Sequence, residues 1–478
     1  MNPYRQQSKI DAARAETGWA YRALPWFSPD EIEHAERQRG KLLESLGGAL
    51  RYSFNGTKPH VGPLSIGCQL CGTPAGVFHF INSACTRACA FCPQDRSKNT
   101  ESLPSTDGID FEDDEAFAEF ISRFGIRRVG ITGGEPLLAL RRLLSRMYTI
   151  GERSGKDVYF WMNTNGDLAD RSTLARLSEA GLNEIRFNIS ARDYDMEPVR
   201  RAKEYIPVVT VEIPAIPEDI EAVKKSMIEM EKMGVDFLNL IQLEVSEDNY
   251  RTMDLSRYHV CHREFMLPVF ESEICALRLM LFREENRMRL PVSYCGFPYR
   301  FDVTDAQRSI RYNQCEMSGW EDITEAGYIR TLSLRGSSEE IVEAERRLEK
   351  TTEKTQLWWC DEGKTELLFH RKLFPIVVED CSSVVIRYEE KTLSEFSAST
   401  LRWKRRTVAE AMLSRWAARC WHQIYVEQRN EKEATRAFVK SYPITPTGSL
   451  SLLAEEKRVL KEIGIWERLE VAYPEPLF

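Results

Sequence analysis

Three cysteines within eight residues, Cys85, Cys89 and Cys92, are the side chains of this chain best suited to chemistry. Cysteine thiolates hold iron–sulfur clusters, and a cubane normally takes four of them. Three ligands in one short segment leave one iron without a nearby partner. An open coordination position is typical of a catalytic metal site rather than of a closed structural one. The spacing therefore predicts a catalytic iron–sulfur site.

The elements that must position this segment alternate between short apolar runs and amphipathic stretches from about residue 77 onward. The predicted strands cover 77–82, 128–132, 158–163, 184–189, 208–213 and 237–243. The predicted helices cover 113–124, 137–154, 171–180, 197–205 and 220–233. This alternation indicates a parallel α/β sheet with crossover connections. Because the first strand runs directly into the cysteine segment, we expect the thiols at the carboxyl end of the sheet, where ligand sites of such folds cluster.

A glycine-rich turn, Thr132-Gly133-Gly134-Glu135-Pro136, follows the second predicted strand. Glycine permits close approach of a backbone to a ligand, and a carboxylate can pair with an ammonium group. Further polar residues lie in or after later strands: Asn165, Asn188, Ser190 and Glu212. Each of these alone is equally typical of an ordinary turn.

Taken together, these motifs resemble the radical S-adenosylmethionine (SAM) superfamily over residues 77–245, and within it a branch related to pyruvate formate-lyase activating enzymes. The resemblance implies a partial (β/α)6 TIM-like barrel, a [4Fe–4S] cluster on the three cysteines, and SAM bound at its fourth iron. It implies reductive cleavage of SAM to a 5′-deoxyadenosyl radical, with a flavodoxin- or ferredoxin-type electron donor. It also implies cofactor-binding roles for Phe91, Thr132, Gly133, Gly134, Glu135, Pro136, Asn165, Asn188, Ser190 and Glu212.

A second cysteine pair, Cys68 and Cys71, lies just upstream of the first predicted strand. Two cysteines cannot complete a tetrahedral metal site, so they need distant partners. Cys295 and Cys315 lie downstream and would complete an auxiliary iron–sulfur cluster by folding back. A zinc site is the less favoured alternative. Ordinary buried thiols are a third interpretation, because free cysteine is commonly buried.

The composition is that of a soluble globular protein, with 478 residues, 42% hydrophobic residues and a net charge of −8. A net negative charge gives no general attraction to nucleic acid or to an anionic membrane. The N-terminus lacks the apolar run of a secretory signal, and we find no stretch apolar enough to span a membrane. Twelve cysteines without a signal peptide predict a reducing cytoplasm.

We expect three domains: an N-terminal extension with the upstream cysteine pair (1–76), the barrel with its auxiliary-cluster segment (77–325), and an α+β and helical C-terminal domain (326–478). Residues 1–60 are predicted to be mainly helical, and residues 401–478 mostly helical. The expected reaction is hydrogen-atom abstraction from a small biosynthetic molecule, followed by rearrangement, cyclisation or oxidation. One alternative is modification of a peptide or protein side chain. Another is a non-catalytic iron–sulfur electron carrier, although electron transfer needs no SAM-binding turn.

Overall fold

The chain folds into two compact units, as a computed structural model shows. The model describes residues 14–15, 18, 20–94, 103–154, 157–261, 267–351, 355–378, 383–396, 401–422, 425–426 and 454–468. Described residues up to Thr304 form the first unit, and those of Asp305–Glu395 and from Leu401 onward form the second. Within these ranges, no helix has both the length and the apolar character needed to cross a membrane.

The described residues of the first unit form thirteen strands. They are β1 (Arg51–Ser53), β2 (Lys58–Val61), β3 (Gly76–Phe80), β4 (Ser105–Thr106), β5 (Ile109–Asp110), β6 (Arg128–Thr132), β7 (Tyr159–Thr164), β8 (Leu182–Phe187), β9 (Val208–Pro214), β10 (Phe237–Ile241), β11 (Glu244–Val245), β12 (Leu267–Pro268) and β13 (Val292–Cys295). β11 pairs only with β12 among the described strands, and the other strands form one sheet in the order β1-β2-β13-β10-β9-β8-β7-β6-β3-β4-β5.

Seven neighbouring strands of this sheet run parallel, from β13 through β10, β9, β8, β7 and β6 to β3. Six of them are the predicted strands, so the parallel α/β fold is confirmed. The seventh, β13, was not predicted because its four residues form no apolar run. The path of paired strands begins at β1 and ends at β5, so the described strands form an open sheet, as a partial barrel requires.

Side chains alternate between the two faces of the parallel strands. One face is apolar and almost fully buried, with Val129, Ile131, Phe160, Met162, Ile185, Val209, Val211, Leu238 and Leu240. The opposite face, called the polar face below, carries Trp161, Glu184, Arg186, Thr210, Glu212, Asn239, Ser293 and Cys295. The short helix Ile66–Cys71 contacts β3, β6 and β7. A Cβ on its Gly67 would lie 2.6 Å from Arg186 and Glu184, so the helix lies against the polar face.

The main helices of the first unit follow the predicted pattern. They are Pro29–Leu46, Ile66–Cys71, Asp114–Arg123, Leu140–Ser154, Arg171–Glu179, Glu197–Ala202, Ile220–Met233 and Phe270–Glu285. Ser28 caps the first of these through a reciprocal pair with Glu31, as expected for a serine before a Pro-Asp-Glu start. The prediction that residues 1–60 are mainly helical misses β1 and β2. Lys58 and Pro59 gave no strand signal, because proline is confined to sheet edges and strand starts.

The second unit is a smaller α+β structure. Its antiparallel strands are β14 (Glu321–Ile323), β15 (Ile329–Leu334), β16 (Trp358–Cys360), β17 (Leu367–Phe369), β18 (Ser383–Phe396) and β19 (Leu401–Ser414). Its main helices are Thr304–Asn313, Ser338–Thr351, Arg415–His422 and Ala454–Glu467. β19 corrects the prediction of mostly helical structure after residue 401. This charged edge strand is held by cross-strand ion pairs such as Arg405 with Glu389.

Candidate active site

The three closely spaced cysteines lie on the loop that follows β3, at the carboxyl end of the parallel strands. Cys85 is exposed, and Cys89 and Cys92 are half-buried. The Cys92 N–H donates to the Cys89 carbonyl at 3.1 Å, which turns the loop back on itself. The three cysteine residues are therefore at least partly exposed on a loop whose turn is held by a backbone hydrogen bond.

The far side of the cysteine loop is anchored by a segment that comes after β11. The Asn249 side-chain amide donates to the Phe91 carbonyl at 3.1 Å, and the Thr252 hydroxyl donates to the Ala90 carbonyl at 2.7 Å. Sequence reasoning missed both anchors. Neither residue belongs to a motif, and contacts across more than 150 residues leave no local signal.

The glycine-rich turn after β6 lies directly behind the entry to the cysteine loop. Gly134 and Glu135 donate backbone hydrogen bonds to the carbonyls of Asn82 (3.0 Å) and Ala84 (2.7 Å). A Cβ on Gly133 would lie 2.3 Å from the Asn82 carbonyl oxygen, and one on Gly134 would lie 2.0 Å from that of Ala84. Gly133 also has a φ of +140°. These glycines are therefore required for the contact between the two loops, whatever ligand they also meet.

Glu135 is completely buried and its carboxylate accepts three hydrogen bonds. The donors are the Leu137 N–H at 3.1 Å, the Thr164 hydroxyl at 2.8 Å and the Asn165 N–H at 2.8 Å. Burial raises the pKa of this carboxyl, and the three donors oppose that rise. Glu135 thus joins the turn, which continues through Pro136 into a 3-10 helix, to the end of β7. Its predicted role in binding the cofactor stays a prediction.

Asn165, at the end of β7, contacts the cysteine loop directly. Its side-chain amide donates to the Thr86 hydroxyl at 2.8 Å and approaches the Cys85 sulfur at 3.7 Å. Burial raises the pKa of the Cys85 thiol, while the Arg87 N–H at 3.4 Å and the Asn165 amide oppose that rise. Metal binding requires the thiolate form, so loading this site releases protons.

Asp167 clamps the cysteine loop from the same strand end. Its carboxylate accepts two hydrogen bonds from the Arg87 guanidinium, at 2.6 and 2.7 Å, and one from the Thr86 hydroxyl at 2.7 Å. Arg192 forms a second ion pair with it. These donors lower the pKa of Asp167 to about 2, and the hydrogen bonds from Arg87 contribute most. The T-N-G turn that precedes Asp167 in the sequence marked this region, but nothing singled out the carboxylate itself.

A cavity of about 510 Å³ opens beside the cysteine loop. This volume is within the range of ~300–1,000 Å³ typical of small-molecule sites. Its lining combines the loop with segments that follow β8, β9 and β10, and includes the predicted site residues Cys89, Phe91 and Ser190. Leu243 also lines it, as do the carboxylate residues Asp193, Glu218, Asp219 and Asp254.

Of the other predicted cofactor residues, Asn188 lies beside this cavity's lining and Glu212 lies on the polar face. The Ser190 hydroxyl donates to the Asn188 side-chain oxygen at 2.6 Å, so Asn188 orients a lining residue. Glu212 pairs with Arg186 at 2.8 Å and accepts from the Asn239 amide at 2.5 Å. Its pKa is lowered because Arg186 and these hydrogen bonds outweigh the effect of burial.

Two of the expected auxiliary ligands, Cys68 and Cys295, are buried, and Cys71 is half-buried. Cys68 and Cys71 lie on the helix Ile66–Cys71, and Cys295 ends β13. All three interact with Tyr299, so the fold brings these distant positions together. Cys315 belongs to the second unit, where its thiol lies 3.7 Å from the Arg311 carbonyl.

Within the described residues, no three histidine, cysteine or acidic side chains are arranged to hold a metal ion. A cubane differs from a single ion because each thiolate binds a different iron, so its ligands need not converge on one point. Three thiols on one surface loop beside a cavity are a donor set that would fit such a cluster.

Comparison with known proteins agrees with this geometry. Residues 80–230 match the model of the radical SAM superfamily. A Methanocaldococcus jannaschii protein named as a glycyl-radical enzyme activating enzyme is 27% identical over 281 residues, which cover 56% of this chain and 72% of that protein. A Sulfolobus acidocaldarius protein named as a GTP 3′,8-cyclase is 30% identical over 115 residues, 24% of this chain and 33% of that one.

Among solved structures, SuiB from Streptococcus suis bound to precursor peptide SuiA aligns with a TM-score of 0.36 and 13% identity. That alignment covers 60% of this chain and 62% of SuiB. The chain therefore spans a third of the matched cyclase and less than two thirds of SuiB.

Proposed function

Since this chain carries a radical SAM domain over residues 80–230 and is a radical SAM enzyme, we propose that its substrate is a small biosynthetic molecule. In this proposal the enzyme abstracts a hydrogen atom from the substrate, which then undergoes rearrangement, cyclisation or oxidation. Cys85, Cys89 and Cys92 hold a [4Fe–4S] cluster, and the adjacent cavity receives SAM. When bound, the cluster and SAM together supply a 5′-deoxyadenosyl radical.

The observation that carries this proposal is the shared wall between the cysteine loop and the cavity. Cys89 and Phe91 of the loop line the same space as Ser190 and Leu243, which follow β8 and β10. A ligand in this space therefore contacts the residues beside the cluster. The glycine-rich turn fixes the loop from behind through the backbone bonds at Asn82 and Ala84 described above.

The carboxylates of the cavity suit a cationic ligand such as the sulfonium of SAM. Glu218 accepts from the Tyr258 hydroxyl at 2.6 Å, and Asp219 accepts from the Tyr194 hydroxyl at 2.7 Å. Each tyrosine fixes the direction of its carboxylate. Fixed negative charge beside a partly enclosed site attracts a cation more strongly than it would in water.

Hydrogen-atom abstraction also requires that water be kept from the reacting atoms. Phe91, Leu243 and Tyr258 belong to, or pack against, one apolar cluster that also contains Val245 and Val260. This cluster lines one side of the cavity with largely apolar side chains that keep water out. Cys85 is exposed, which favours electron delivery from a flavodoxin- or ferredoxin-type protein at the surface.

Two observations support a small molecule as the substrate. The cavity volume of about 510 Å³ is that of a small-ligand site. One relative is named as a cyclase of GTP, although the match covers 33% of it. The relative named as an activating enzyme would act on a protein instead. A peptide or protein substrate is therefore compared with small molecules in the experiment.

The first experiment measures SAM cleavage by anaerobically reconstituted enzyme with dithionite. We expect 5′-deoxyadenosine and methionine from the wild type. Cys89→Ala should produce about 100-fold less of both. Cys275→Ala, which removes a buried thiol from the helix Phe270–Glu285, is the control and should cleave normally. If the wild type produces no 5′-deoxyadenosine, the radical assignment is wrong. Stimulation of cleavage by a peptide pool but not by a metabolite pool would contradict the small-molecule substrate.

A further inference from the structure

Cys68 and Cys71 are placed on one face of a helix that lies against the polar face of the sheet. The helix Ile66–Cys71 begins at Ser65, whose hydroxyl accepts the Cys68 N–H at 3.1 Å. Residues three apart on a helix are neighbours on its surface, so both thiols leave the helix on the same side. Cys68 is 5% exposed, which places its sulfur inside the first unit rather than at the surface.

Tyr299 and Lys58 connect these thiols to Cys295, which lies more than 220 residues later. The Tyr299 hydroxyl donates to the Cys68 carbonyl at 2.9 Å and also interacts with the Cys71 thiol. The Lys58 ammonium donates to the Cys295 sulfur and, at 3.0 Å, to the Asn239 side-chain oxygen. The three cysteines therefore lie around Tyr299 and Lys58 and come from two separate parts of the chain.

The buried charges near these three cysteines do not balance. Arg186 forms ion pairs of 2.8 Å with both Glu184 and Glu212, and its guanidinium approaches the Cys68 sulfur at 3.7 Å. Lys58 adds a second buried cation. If the thiols are neutral and no other charge lies near, the negative charges of the two carboxylates equal the positive charges of Arg186 and Lys58.

Arg128 is the additional charge. It is fully buried, and its guanidinium lies 4.9 Å from the Trp161 ring, on which Arg186 also stacks at 3.9 Å. Among the described residues, the Nε and Nη2 atoms of Arg128 have no hydrogen-bond partner. One positive charge is thus in excess, and an uncompensated buried charge is costly. A ligand with one net negative charge would remove that cost.

We propose that Cys68, Cys71 and Cys295 hold a second iron–sulfur cluster, whose fourth iron takes a non-cysteine ligand. A cubane core with two positive charges, bound by three thiolates, carries one net negative charge, which matches the excess on the polar face. No three ligands among the described residues are arranged around a single ion, so a mononuclear zinc site fits less well. Lys58 donates to a ligand sulfur, an interaction that raises the reduction potential of a cluster.

The test is iron and sulfide analysis of the anaerobically reconstituted full chain. We expect about eight irons in the wild type and about four in each of two triple variants, C85A/C89A/C92A and C68A/C71A/C295A. Cys275→Ala is the matched control and should keep the wild-type iron content. About four irons in the wild type, with the same content in C68A/C71A/C295A, would overturn the second cluster. Zinc in place of iron would do so as well.

The Lys58→Gln variant provides a measurement that does not depend on removing a ligand. In the C85A/C89A/C92A background, the dithionite-reduced cluster should give an electron paramagnetic resonance signal that SAM does not change. Adding Lys58→Gln should make its reduction potential more negative, because a positive charge beside Cys295 is lost. An unchanged potential would contradict the placement. These results are independent of 5′-deoxyadenosine formation by the wild type, so the two proposals fail separately.

Discussion

Replacing Asp167 with asparagine should weaken the clamp on the cysteine loop by a measurable amount. The pKa of Asp167 is about 2 instead of the ordinary 3.8, mainly because its carboxylate accepts hydrogen bonds from Arg87. One pKa unit corresponds to about 1.4 kcal/mol, so the whole shift corresponds to ~2.4 kcal/mol. The side chain is 16% exposed, and solvent screens part of the interaction. We therefore expect Asp167→Asn to lower the free energy of unfolding by about 1–2 kcal/mol at pH 7.

The assay is urea unfolding of the iron-free protein, compared with Asp195→Asn as the control. Asp195 pairs with Arg192 at 2.7 Å but is 42% exposed, so its loss should cost less than about 1 kcal/mol. Since the folded-state pKa of Asp167 is lowered, its contribution is complete above about pH 4 and is lost as the pH falls through about 2. The difference between wild type and Asp167→Asn should close over that window. Equal unfolding midpoints at pH 7, or a difference at pH 2 as large as that at pH 7, would refute the reasoning.

Two further substitutions test the turn and the cavity. Gly134→Ala should reduce the iron content and the 5′-deoxyadenosine yield severely, because the new Cβ would lie 2.0 Å from the Ala84 carbonyl oxygen. The control is Gly151→Ala, which has open space around its Cβ and should retain both. Equal losses in the two variants would contradict the contact between the turn and the cysteine loop. Phe91→Ala should raise the KM for SAM about tenfold with a smaller change in kcat, since a lost aromatic contact is worth ~1.4 kcal/mol; rates of 5′-deoxyadenosine formation across SAM concentrations measure this, and an unchanged KM would place SAM elsewhere.

The parallel strands could be predicted because short segments rich in apolar residues alternate with amphipathic stretches along the chain. The strand 128–132 was predicted with the bounds that the structure has, and the others lie within two residues. The cysteine loop and the glycine-rich turn were also readable, since their spacing is local. β2 and β19 could not be read in this way. Lys58 and Pro59 look like loop residues, and the charges of β19 look like a helix surface until the partner strand is known.

The interactions between loops were the part of the site that no local pattern contained. The carboxylate of Glu135 accepts three hydrogen bonds, from the turn and from the end of β7, which the sequence did not predict. Asp167, Asn249 and Thr252 hold the cysteine loop from positions distant in sequence. Such contacts depend on which strand ends meet in three dimensions, which residue types alone do not specify.

The pairing of Lys58 with Asn239 and Cys295 has a consequence for the order in which this protein is made. Its partners lie 181 and 237 residues later in the chain, so a ribosome must synthesise β13 before the Lys58 ammonium can leave water. Contacts this distant in sequence form late and slowly. Until then the upstream cysteines stay reachable by iron-delivery proteins and by oxidants alike. Insertion of the proposed second cluster has to compete with closure of the sheet around it.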